Sequence, residues 1–379
     1  MPSICFVAGD PSGDAHAARL IEALSVKEPR LTYSGLGGPA MQQAGAVLLD
    51  DLTRSTAIGP FDAVQHFGRF LVAKRRLEEH LRDHRPDLVI LVDFGDFNLP
   101  VVAPLVKRFG IPILYYISPQ IWAWGRWRLR YIRRYIDRMI VLFPFEEALY
   151  RREGIPVTWV GHPLIDRAKP SLTQEEAAKR FGLNHWRRTV GLLPGSRERE
   201  VARHLPLMLA TARRIAWYMP GVQFLLPKAP HLPRALFETH PIPPSCDVHL
   251  IEHSMYDALQ LMEVAIVASG TATLEAALCQ VPMIVIYRAS WPTYLGARIV
   301  VRTPHVAIVN VIAGRRLVPE FIQHRARVEP MASAVMSLLR DPERQSRMQQ
   351  ALRQIQEQLG PPGAVERAAT AVLDFYANR

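Results

Sequence analysis

Residues 4–14, ICFVAGDPSGD, decide the fold class, because an apolar run passes directly into a glycine-containing turn. The turn is followed by apolar side chains at helical spacing, at Ala17, Leu20, Ile21 and Leu24. A strand, a glycine turn and a helix in this order are the start of an alternating α/β fold.

Apolar runs of strand length recur along the rest of the chain, with helical patterns between them. Residues 88–92 and 113–117 are apolar throughout, which is typical of central strands in a parallel sheet covered on both faces. Further strands are predicted at residues 139–142, 157–160, 189–193, 222–226, 248–251, 264–268 and 283–286. The pattern predicts two Rossmann-like, doubly wound domains that face a cleft.

A pause in this pattern near residue 165 predicts the domain boundary. Residues 1–165 then form an N-terminal domain and residues 166–355 a C-terminal domain, each of a size that a single core supports. The last segment, residues 356–379, contains the break GPPG at 360–363. We expect its amphipathic helix to return towards the N-terminal domain.

The composition is that of a packed globular protein, with 49% apolar and 21% charged residues among 379. The three cysteines, Cys5, Cys246 and Cys279, form no C-x-x-C pair, which disfavours a disulfide framework and a zinc site. No apolar run reaches the ~18 residues of a membrane-spanning helix. These features predict a protein that stays in the reducing cytoplasm.

A net charge of +11, from 46 basic and 35 acidic residues, predicts a polyanionic partner. A phosphorylated substrate, an anionic membrane surface and nucleic acid all satisfy that requirement. The chain has no zinc-finger spacing, no RNP-like signature and no extended basic tail, so we expect no nucleic-acid partner.

Carboxylates follow two of the predicted strands in the first half, where α/β sheets place ligands. Asp93 or Asp96 could be the general base that takes a proton from an attacking hydroxyl, although one of them could merely cap a turn. Asp10 and Ser12 could bind sugar hydroxyls or the acceptor, and helix capping explains Ser12 and Asp14 almost as well.

Two turns in the second half suit a diphosphate. Residues 269–275, SGTATLE, end a strand and open a helix whose first-turn amides favour a diphosphate, while the carboxylate of Glu275 could accept ribose hydroxyls. Arg197 could hold phosphate oxygens at the same sheet edge. The alternatives are an ordinary capped turn and a surface arginine without a ligand. The candidate residues for binding a nucleoside diphosphate donor are Ser196, Arg197, Ser269, Gly270, Thr271, Ala272, Thr273 and Glu275.

Residues 122–138 interleave tryptophans with arginines, which suits a surface that meets lipid headgroups. The alternatives are stacking on single-stranded nucleic acid and a helix with tryptophans inside and arginines solvated. Residues 58–76 combine apolar and basic side chains, among them Phe61, Phe70 and Leu71. We interpret this stretch as a membrane-docking lip, with a core-facing helix as the alternative.

Taken together, ordered blocks along nearly the whole chain resemble the lipid-A-disaccharide synthase family, which comprises inverting glycosyltransferases of the two-domain GT-B architecture. The blocks are residues 8–14, 37–41, 93–98, 118–124, 143–146, 160–163, 193–197, 269–275, Asn310 and 313–315. The family usually reads Gly-Glu-Ala-Ser-Gly-Asp where residues 9–14 read GDPSGD, and it often has proline or alanine at Gly95. These departures bear on the acceptor contact and on acyl and sugar preference.

The resemblance implies that UDP-2,3-diacylglucosamine is joined to 2,3-diacylglucosamine 1-phosphate by a β-1,6 bond, with release of UDP. It implies that Asp93 is the base, that Arg197, Glu275 and Asn310 lie on the donor side, and that the N-terminal domain binds acceptor and lipid. The acceptor-side candidates are Asp10, Ser12, Asp96, Asn98, Gln120 and Trp122.

No metal or other cofactor is expected, because helix amides and arginine can neutralise the leaving diphosphate. The resemblance also implies a homodimer at the anionic inner face of the cytoplasmic membrane. Two alternatives stay open: another GT-B enzyme acting on a UDP-sugar, such as a peptidoglycan-type transferase or a UDP-sugar epimerase, and a non-catalytic basic binding protein.

Overall fold

The computed structural model describes residues 2–53, 60–291, 294, 296 and 303–378, with the backbone alone for residues 60–67. The chain divides into two compact units. Unit 1 is Met1–Pro163 together with Leu359–Arg379, and unit 2 is Leu164–Gln358. Each unit is an α/β structure built on one parallel sheet.

The described part of unit 1 contains the strands β1 (Ser3–Ala8), β2 (Thr32–Gly37), β3 (Val47–Asp51), β4 (Leu88–Val92), β5 (Ile113–Tyr116), β6 (Arg138–Val141) and β7 (Val157–Trp159). They pair in parallel in the order β3-β2-β1-β4-β5-β6-β7. The order reverses between β1 and β4, so the connections on the two sides of this point leave in opposite directions. A doubly wound sheet of this kind opens a crevice at the carboxyl ends of those two strands.

The described helices of unit 1 are α1 (Pro11–Lys27), α2 (Pro39–Gln43), α3 (Pro60–His84), α4 (Gly95–Phe97), α5 (Ala103–Arg108), α6 (Leu129–Tyr135), α7 (Pro144–Arg152) and, from the end of the chain, α17 (Ala364–Ala377). A π-helical turn, Asn98–Val102, joins α4 to α5, and a 3₁₀ turn, Arg126–Arg128, precedes α6. None of the described helices is long and apolar enough to cross a membrane.

Both faces of the first sheet are buried. Cys5 and Val7 belong to one core together with Leu77 of α3, whereas Ile4 and Phe6 belong to the other. Two helices, α1 and α17, close the second core through Leu20, Ile21, Ala368 and Val372. Burial on both faces explains why the central strands are continuous apolar runs and not alternating ones.

The described part of unit 2 contains the strands β8 (Thr189–Leu193), β9 (Gln223–Pro227), β10 (Asp247–Ile251), β11 (Val264–Ala268), β12 (Met283–Tyr287) and β13 (Glu320–Ile322). They pair in parallel in the order β10-β9-β8-β11-β12-β13, which reverses between β8 and β11. The described helices of this unit are α8 (Leu164–Arg167), α9 (Gln174–Phe181), α10 (Glu198–Tyr218), α11 (Ala235–Glu238), α12 (Met255–Leu259), α13 (Thr271–Leu278), α14 (Ile308–Ala313), α15 (Val328–Arg340) and α16 (Pro342–Gln358), with a 3₁₀ turn at Gln323–Arg325.

The turn after β1 is capped differently from the sequence expectation. Asp10, and not Ser12, is the N-cap of α1, and its carboxylate accepts from the Gly13 amide at 2.6 Å. Asp14 is buried and reaches across to the start of α2. Its carboxylate accepts three backbone amides, from Gly38 at 2.8 Å, Ala40 at 2.9 Å and Met41 at 3.1 Å. The acidic pair thus caps two successive helices.

The chain leaves and re-enters unit 1 at adjacent points. The His162 amide donates to the Leu359 carbonyl at 3.0 Å. The guanidinium of Arg367, on α17, donates to the carbonyls of Val160 at 2.9 Å and Pro361 at 2.7 Å. These bonds tie the segment that leads out of unit 1 to the segment that leads back into it.

Replacement of Asp14 tests the cap on α2. We expect Asp14→Ala to destabilise unit 1 by about 3 kcal/mol, because three amides lose a carboxylate partner inside the structure. This corresponds to a lowering of the melting temperature by roughly 5–10 °C. The measurement is thermal unfolding followed by circular dichroism.

The matched control for that experiment is Asp83→Ala, which removes an exposed carboxylate near the end of α3. We expect the control to change stability by less than about 0.5 kcal/mol. Equal melting temperatures for the two variants would show that the Asp14 cap contributes no measurable stability.

Candidate active site

The carboxyl ends of β1 and β4 bring two acidic loops together. Ala8 pairs with Val92 at the last register position of the two strands, so the turn containing Asp10 starts beside Asp93. This is the point at which the strand order reverses. The sequence placed the candidate carboxylates at strand ends, and the parallel pairing places those ends side by side.

A recess of about 200 Å³ lies at this point. It combines three carboxylates, one guanidinium, one amide and two aromatic rings. The lining residues are Asp10, Asp93, Phe94, Gly95, Asp96, Pro119, Gln120, Trp124 and Arg128. Such a mixture of carboxylates with an aromatic face suits a polyhydroxylated ligand better than an apolar one.

The backbone at Asp93 is strained, and two side-chain hydrogen bonds hold it in this conformation. Asp93 and Phe94 both have left-handed backbone angles, with φ of 44° and 49°. The Asp93 carbonyl accepts the Asn98 side-chain amide at 2.8 Å and the hydroxyl of Tyr115. Two donors on one carbonyl therefore fix a conformation that non-glycine residues rarely adopt.

Gly9 makes room for this arrangement. A Cβ atom at Gly9 would lie 2.0 Å from Cδ1 of the Phe94 ring, which is far inside van der Waals contact. The ring of Phe94 also packs on Phe70 and Phe97, with centroids 5.9 Å and 6.0 Å away. Glycine at position 9 thus permits the position of Phe94 and, with it, that of the adjacent Asp93.

Electrostatics distinguish Asp93 from its neighbours. Burial, and next the negative charge of Asp10, raise the pKa of Asp93 from 3.8 to about 7. A carboxyl with a pKa near neutrality is basic enough to accept a proton and is still ionised in a large fraction of molecules. Asp96 differs, because its side chain is 69% exposed and forms an ion pair with Arg128. Burial and a raised pKa thus distinguish Asp93 from the exposed, paired Asp96.

Arg128 is the unexpected member of the recess. Its side chain is only 2% exposed, and its guanidinium carbon lies 3.9 Å from the ring centroid of Trp124. Sequence reasoning did not single it out from the other arginines of residues 122–138. A buried arginine cannot be recognised in a run of arginines, because only the packing reveals which of them turns inward.

Four predicted acceptor-side residues lie in different surroundings. Gln120 is exposed and lines the recess, whereas Asn98 is fully buried below Asp93. Ser12 is exposed on the first turn of α1. Trp122 packs edge-on against Phe145 at 5.3 Å and is not a lining residue of the recess. Trp124, which is not among the predicted acceptor-side residues, lines the recess instead.

The tryptophan and arginine segment does not fit the alternative of a simple core-facing helix. Trp122 is partly buried, but Trp124 and Trp127 are 36% and 47% exposed. Arg128 is inside, so a helix with tryptophans inside and arginines solvated does not describe the segment.

The predicted membrane-docking lip is only partly described. Residues 58–59 and the side chains of residues 60–67, among them Phe61, lie outside the described part of the chain. Phe70 faces the core, where it packs on Phe97 with ring centroids 5.2 Å apart. Leu71 and Val72 are about half exposed. Membrane docking through this stretch stays a prediction.

In unit 2, a second pair of loops follows the central strands. Leu193 pairs with Val267 in neighbouring strands, so the loop 194–197 and the loop 269–270 leave the same edge of the sheet. Gly270 is the N-cap of α13 and has no side chain to accept the first-turn amides. The Ser269 hydroxyl donates instead to the Val306 carbonyl at 3.0 Å. The expected alternative, a side-chain cap by Ser269 or Thr271, is therefore absent from this described helix start.

The predicted anion-binding loop already has a carboxylate partner. Glu200 accepts the Arg197 guanidinium at 2.8 Å and the Ser196 amide at 3.1 Å. The Arg197 side chain is 60% exposed, so this ion pair is easily exchanged. His204 is buried and its Nδ1 lies 2.9 Å from the Pro194 carbonyl, which fixes the base of the loop.

The side chains of Glu275 and Asn310 both form hydrogen bonds within the protein, but only Asn310 is fully buried. Burial raises the pKa of Glu275, whose carboxylate accepts the Tyr256 hydroxyl at 2.9 Å. Asn310 is fully buried, and its amide donates to Val318 at 2.9 Å and Glu320 at 2.8 Å. Its oxygen accepts two backbone amides, so the side chain is committed to the turn before β13. Asn310 therefore lies inside the fold and is not one of the exposed residues near the loops 194–197 and 269–270.

Among the described residues, no group of three or more His, Cys, Asp or Glu side chains could hold a metal ion.

Two α/β units, each with a parallel sheet whose strand order reverses at its centre, define the GT-B class of glycosyltransferases and related enzymes. The fold is similar to that of the calicheamicin glycosyltransferase CalG4, with a TM-score of 0.62, 15% identity and coverage of 100% of this chain and 99% of that one. It is also similar to the UDP-GlcNAc 2-epimerase from Neisseria meningitidis bound to UDP-GlcNAc, with a TM-score of 0.61, 13% identity and full coverage of both chains. At these identities the likeness concerns the fold alone.

Comparison of the sequence with known proteins identifies the particular family of the chain. Residues 4–375 match the model of the family described as lipid-A-disaccharide synthetase. A lipid-A-disaccharide synthase from Geobacter metallireducens is 40% identical over 376 residues, which cover 99% of this chain and 98% of that relative. The chain belongs to the lipid-A-disaccharide synthetase family. The expected glycosyltransferase of lipid A biosynthesis is confirmed, and the epimerase and the non-catalytic binding protein are disfavoured.

Replacement of Gly9 tests the support of Asp93. We expect Gly9→Ala to lower the rate of disaccharide synthesis at least tenfold, because the new methyl group displaces Phe94 and a shift of about 1 Å in a reacting group can cost a factor of ~100. The rate is measured beside the circular dichroism spectrum. Gly68→Ala is the control, since a Cβ at Gly68 meets nothing within 4 Å. Full activity of Gly9→Ala would show that Phe94 does not position Asp93.

Proposed function

We propose that the chain transfers 2,3-diacylglucosamine from UDP to O6 of 2,3-diacylglucosamine 1-phosphate and so forms a β-1,6 bond. Membership of the lipid-A-disaccharide synthetase family supports the overall reaction. The similar fold of an epimerase bound to UDP-GlcNAc supports a UDP-sugar donor. The observation that carries the chemistry is the Asp93 carboxyl, which is partly desolvated, lines the recess and is attached to a strained backbone.

Asp93 acts as the general base in this proposal. It accepts the proton of the acceptor's O6 hydroxyl while O6 attacks the anomeric carbon of the donor. The bond between that carbon and the UDP oxygen breaks, and UDP leaves with the bonding electrons. Attack from the face opposite UDP inverts the anomeric carbon, which accounts for the β linkage.

Unit 2 binds the donor in this proposal. Arg197 exchanges Glu200 for the diphosphate, and the first-turn amides of α13 approach the same charge. Glu275 accepts hydroxyls of the ribose. The negative charge that develops on UDP is then met by a guanidinium and by backbone dipoles, so this step needs no metal ion.

Unit 1 binds the acceptor and meets the membrane in this proposal. Asp10, Asp96 and Gln120 line the recess and can bond sugar hydroxyls. The net charge of +11 and the half-exposed Leu71 and Val72 support peripheral association with the anionic inner face of the cytoplasmic membrane. The homodimer that the resemblance implies stays a prediction.

The base assignment is tested by Asp93→Asn, which keeps the shape of the side chain but removes its basicity. We expect kcat for acceptor-dependent UDP release to fall by a factor of about 100 or more, with KM values changed little, because general bases typically contribute 10²–10⁴. The measurement is steady-state UDP release with and without the acceptor.

Asp96→Asn is the matched control, and we expect it to lose less than about tenfold, since an exposed carboxylate is not the base. A larger loss in Asp96→Asn than in Asp93→Asn would transfer the role to Asp96. No acceptor-dependent UDP release by the unaltered enzyme would reject the proposed reaction itself.

The pH dependence of kcat/KM provides an independent test. Because the base must be deprotonated, activity should fall as the pH is lowered through about 7, the raised pKa of Asp93. Asp10→Asn removes the neighbouring negative charge, so the pKa of Asp93 should fall and the acidic limb of the profile should move to lower pH. Asparagine can still cap α1, which preserves the fold. An unchanged limb, or one that moves to higher pH, would contradict the assigned coupling of Asp10 and Asp93.

A further inference from the structure

We propose that Trp124 is the platform on which the acceptor's sugar ring lies, and that the acceptor's phosphate stays outside the recess. The proposal rests on the function proposed above and assigns the orientation of the acceptor in unit 1. It follows from two observations, the environment of one indole ring and the balance of charges around it.

The Trp124 ring is stacked against a guanidinium and is also partly exposed. The Arg128 guanidinium carbon lies 3.9 Å from the ring centroid and covers one face. The side chain is nevertheless 36% exposed, and it lines the recess beside Asp93. An aromatic ring presented in this way packs well against the C–H groups of a pyranose, which leaves the sugar hydroxyls free for polar partners.

The covered face makes the platform rigid. Arg128 is only 2% exposed and forms an ion pair with Asp96, so its guanidinium is fixed from two sides. Gly125, with φ of 74°, admits the guanidinium, because a Cβ there would lie 2.6 Å from Nη1 of Arg128. A ring that is fixed before binding loses little conformational entropy when the ligand arrives.

The charges of the recess select the end of the acceptor that enters. Asp10, Asp93 and Asp96 oppose one guanidinium, and that guanidinium is already paired with Asp96. Burial raises the pKa of Asp93 most, and the negative charge of Asp10 raises it further. A phosphate would meet the same repulsion, whereas neutral hydroxyls can donate to the carboxylates. The hydroxymethyl end of the sugar therefore enters towards Asp93, and the phosphate on C1 points away.

Trp127 provides a matched control on the same segment. It is 47% exposed, and it packs edge-on against Tyr131 with ring centroids 5.9 Å apart. It is not among the residues that line the recess. Loss of Trp127 thus removes an indole of similar accessibility; it also removes a 5.2 Å contact with the Arg128 guanidinium carbon, but it leaves the closer 3.9 Å contact of Arg128 with Trp124 in place.

The experiment compares Trp124→Ala, Trp124→Phe and Trp127→Ala by steady-state kinetics. The probes are 2,3-diacylglucosamine 1-phosphate as acceptor and the same compound without its phosphate, which keeps O6 and therefore competes as an alternative acceptor; the phosphorylated disaccharide is quantified so that its formation alone is followed. We expect Trp124→Ala to raise the acceptor KM about tenfold or more, because the sugar ring loses its aromatic contact surface. The inhibition constant of the dephosphorylated compound should rise by the same factor, while the donor KM stays constant.

Phenylalanine at position 124 should restore most of the acceptor affinity, and Trp127→Ala should change the acceptor KM by less than about twofold. An unchanged acceptor KM in Trp124→Ala would overturn the platform. A rise confined to the phosphorylated acceptor, or no inhibition of the unaltered enzyme by the dephosphorylated compound, would overturn the placement of the phosphate. Both outcomes are read against acceptor-dependent UDP release by the unaltered enzyme, whose absence would instead reject the proposed function.

Discussion

The reversal of strand order between β1 and β4 is the constraint on which the candidate site depends. Connections on either side of this point leave in opposite directions, so the two strand ends stay open and their loops meet. Asp10 and Asp93 are neighbours for this reason, although they lie 83 positions apart in the sequence. In unit 2 the strand order likewise reverses, between β8 and β11. A loop with an arginine lies there beside a helix start that has no side-chain cap. One topological rule thus produces an acidic edge in unit 1 and an anion-attracting edge in unit 2.

The position of Asp93 at that edge costs free energy of folding, which interactions in the surrounding structure must offset. Two consecutive left-handed residues cost of order 1–3 kcal/mol each, and burial of a carboxylate beside a second one adds to the penalty. Asn98 and Tyr115 offset part of it by donating to the Asp93 carbonyl, and Gly9 leaves space for Phe94. None of these three residues lines the recess. They hold Asp93, which does line it, so the site extends well below its surface.

The sequence predicts the central strands more accurately than the edges. Residues 88–92, 189–193 and 264–268 are strands with the predicted bounds, because full burial on both faces requires an uninterrupted apolar run. Strands β2, β3 and β13 were not predicted: β2 contains glycines, β3 ends in two aspartates, and β13 has three residues. Carboxylates at strand ends were recognisable from position alone. The inward turn of Arg128, the choice of Trp124 over Trp122 and the enclosed amide of Asn310 depend on packing between distant segments, which single-sequence patterns do not encode.

The discontinuity of unit 1 has a consequence for synthesis of the chain. Residues 164–358 of unit 2 are inserted between the two segments that Arg367 ties together, and α17 closes the core over Ile4 and Phe6 only when the last residues are available. On the ribosome, unit 2 is complete before unit 1, although unit 1 begins first. The part of this core that α17 covers, beside α1, therefore stays open during translation of nearly two hundred residues. The terminal helix makes the start of the chain the last part to mature, so a chain truncated before α17 would keep that part of the core open to aggregation.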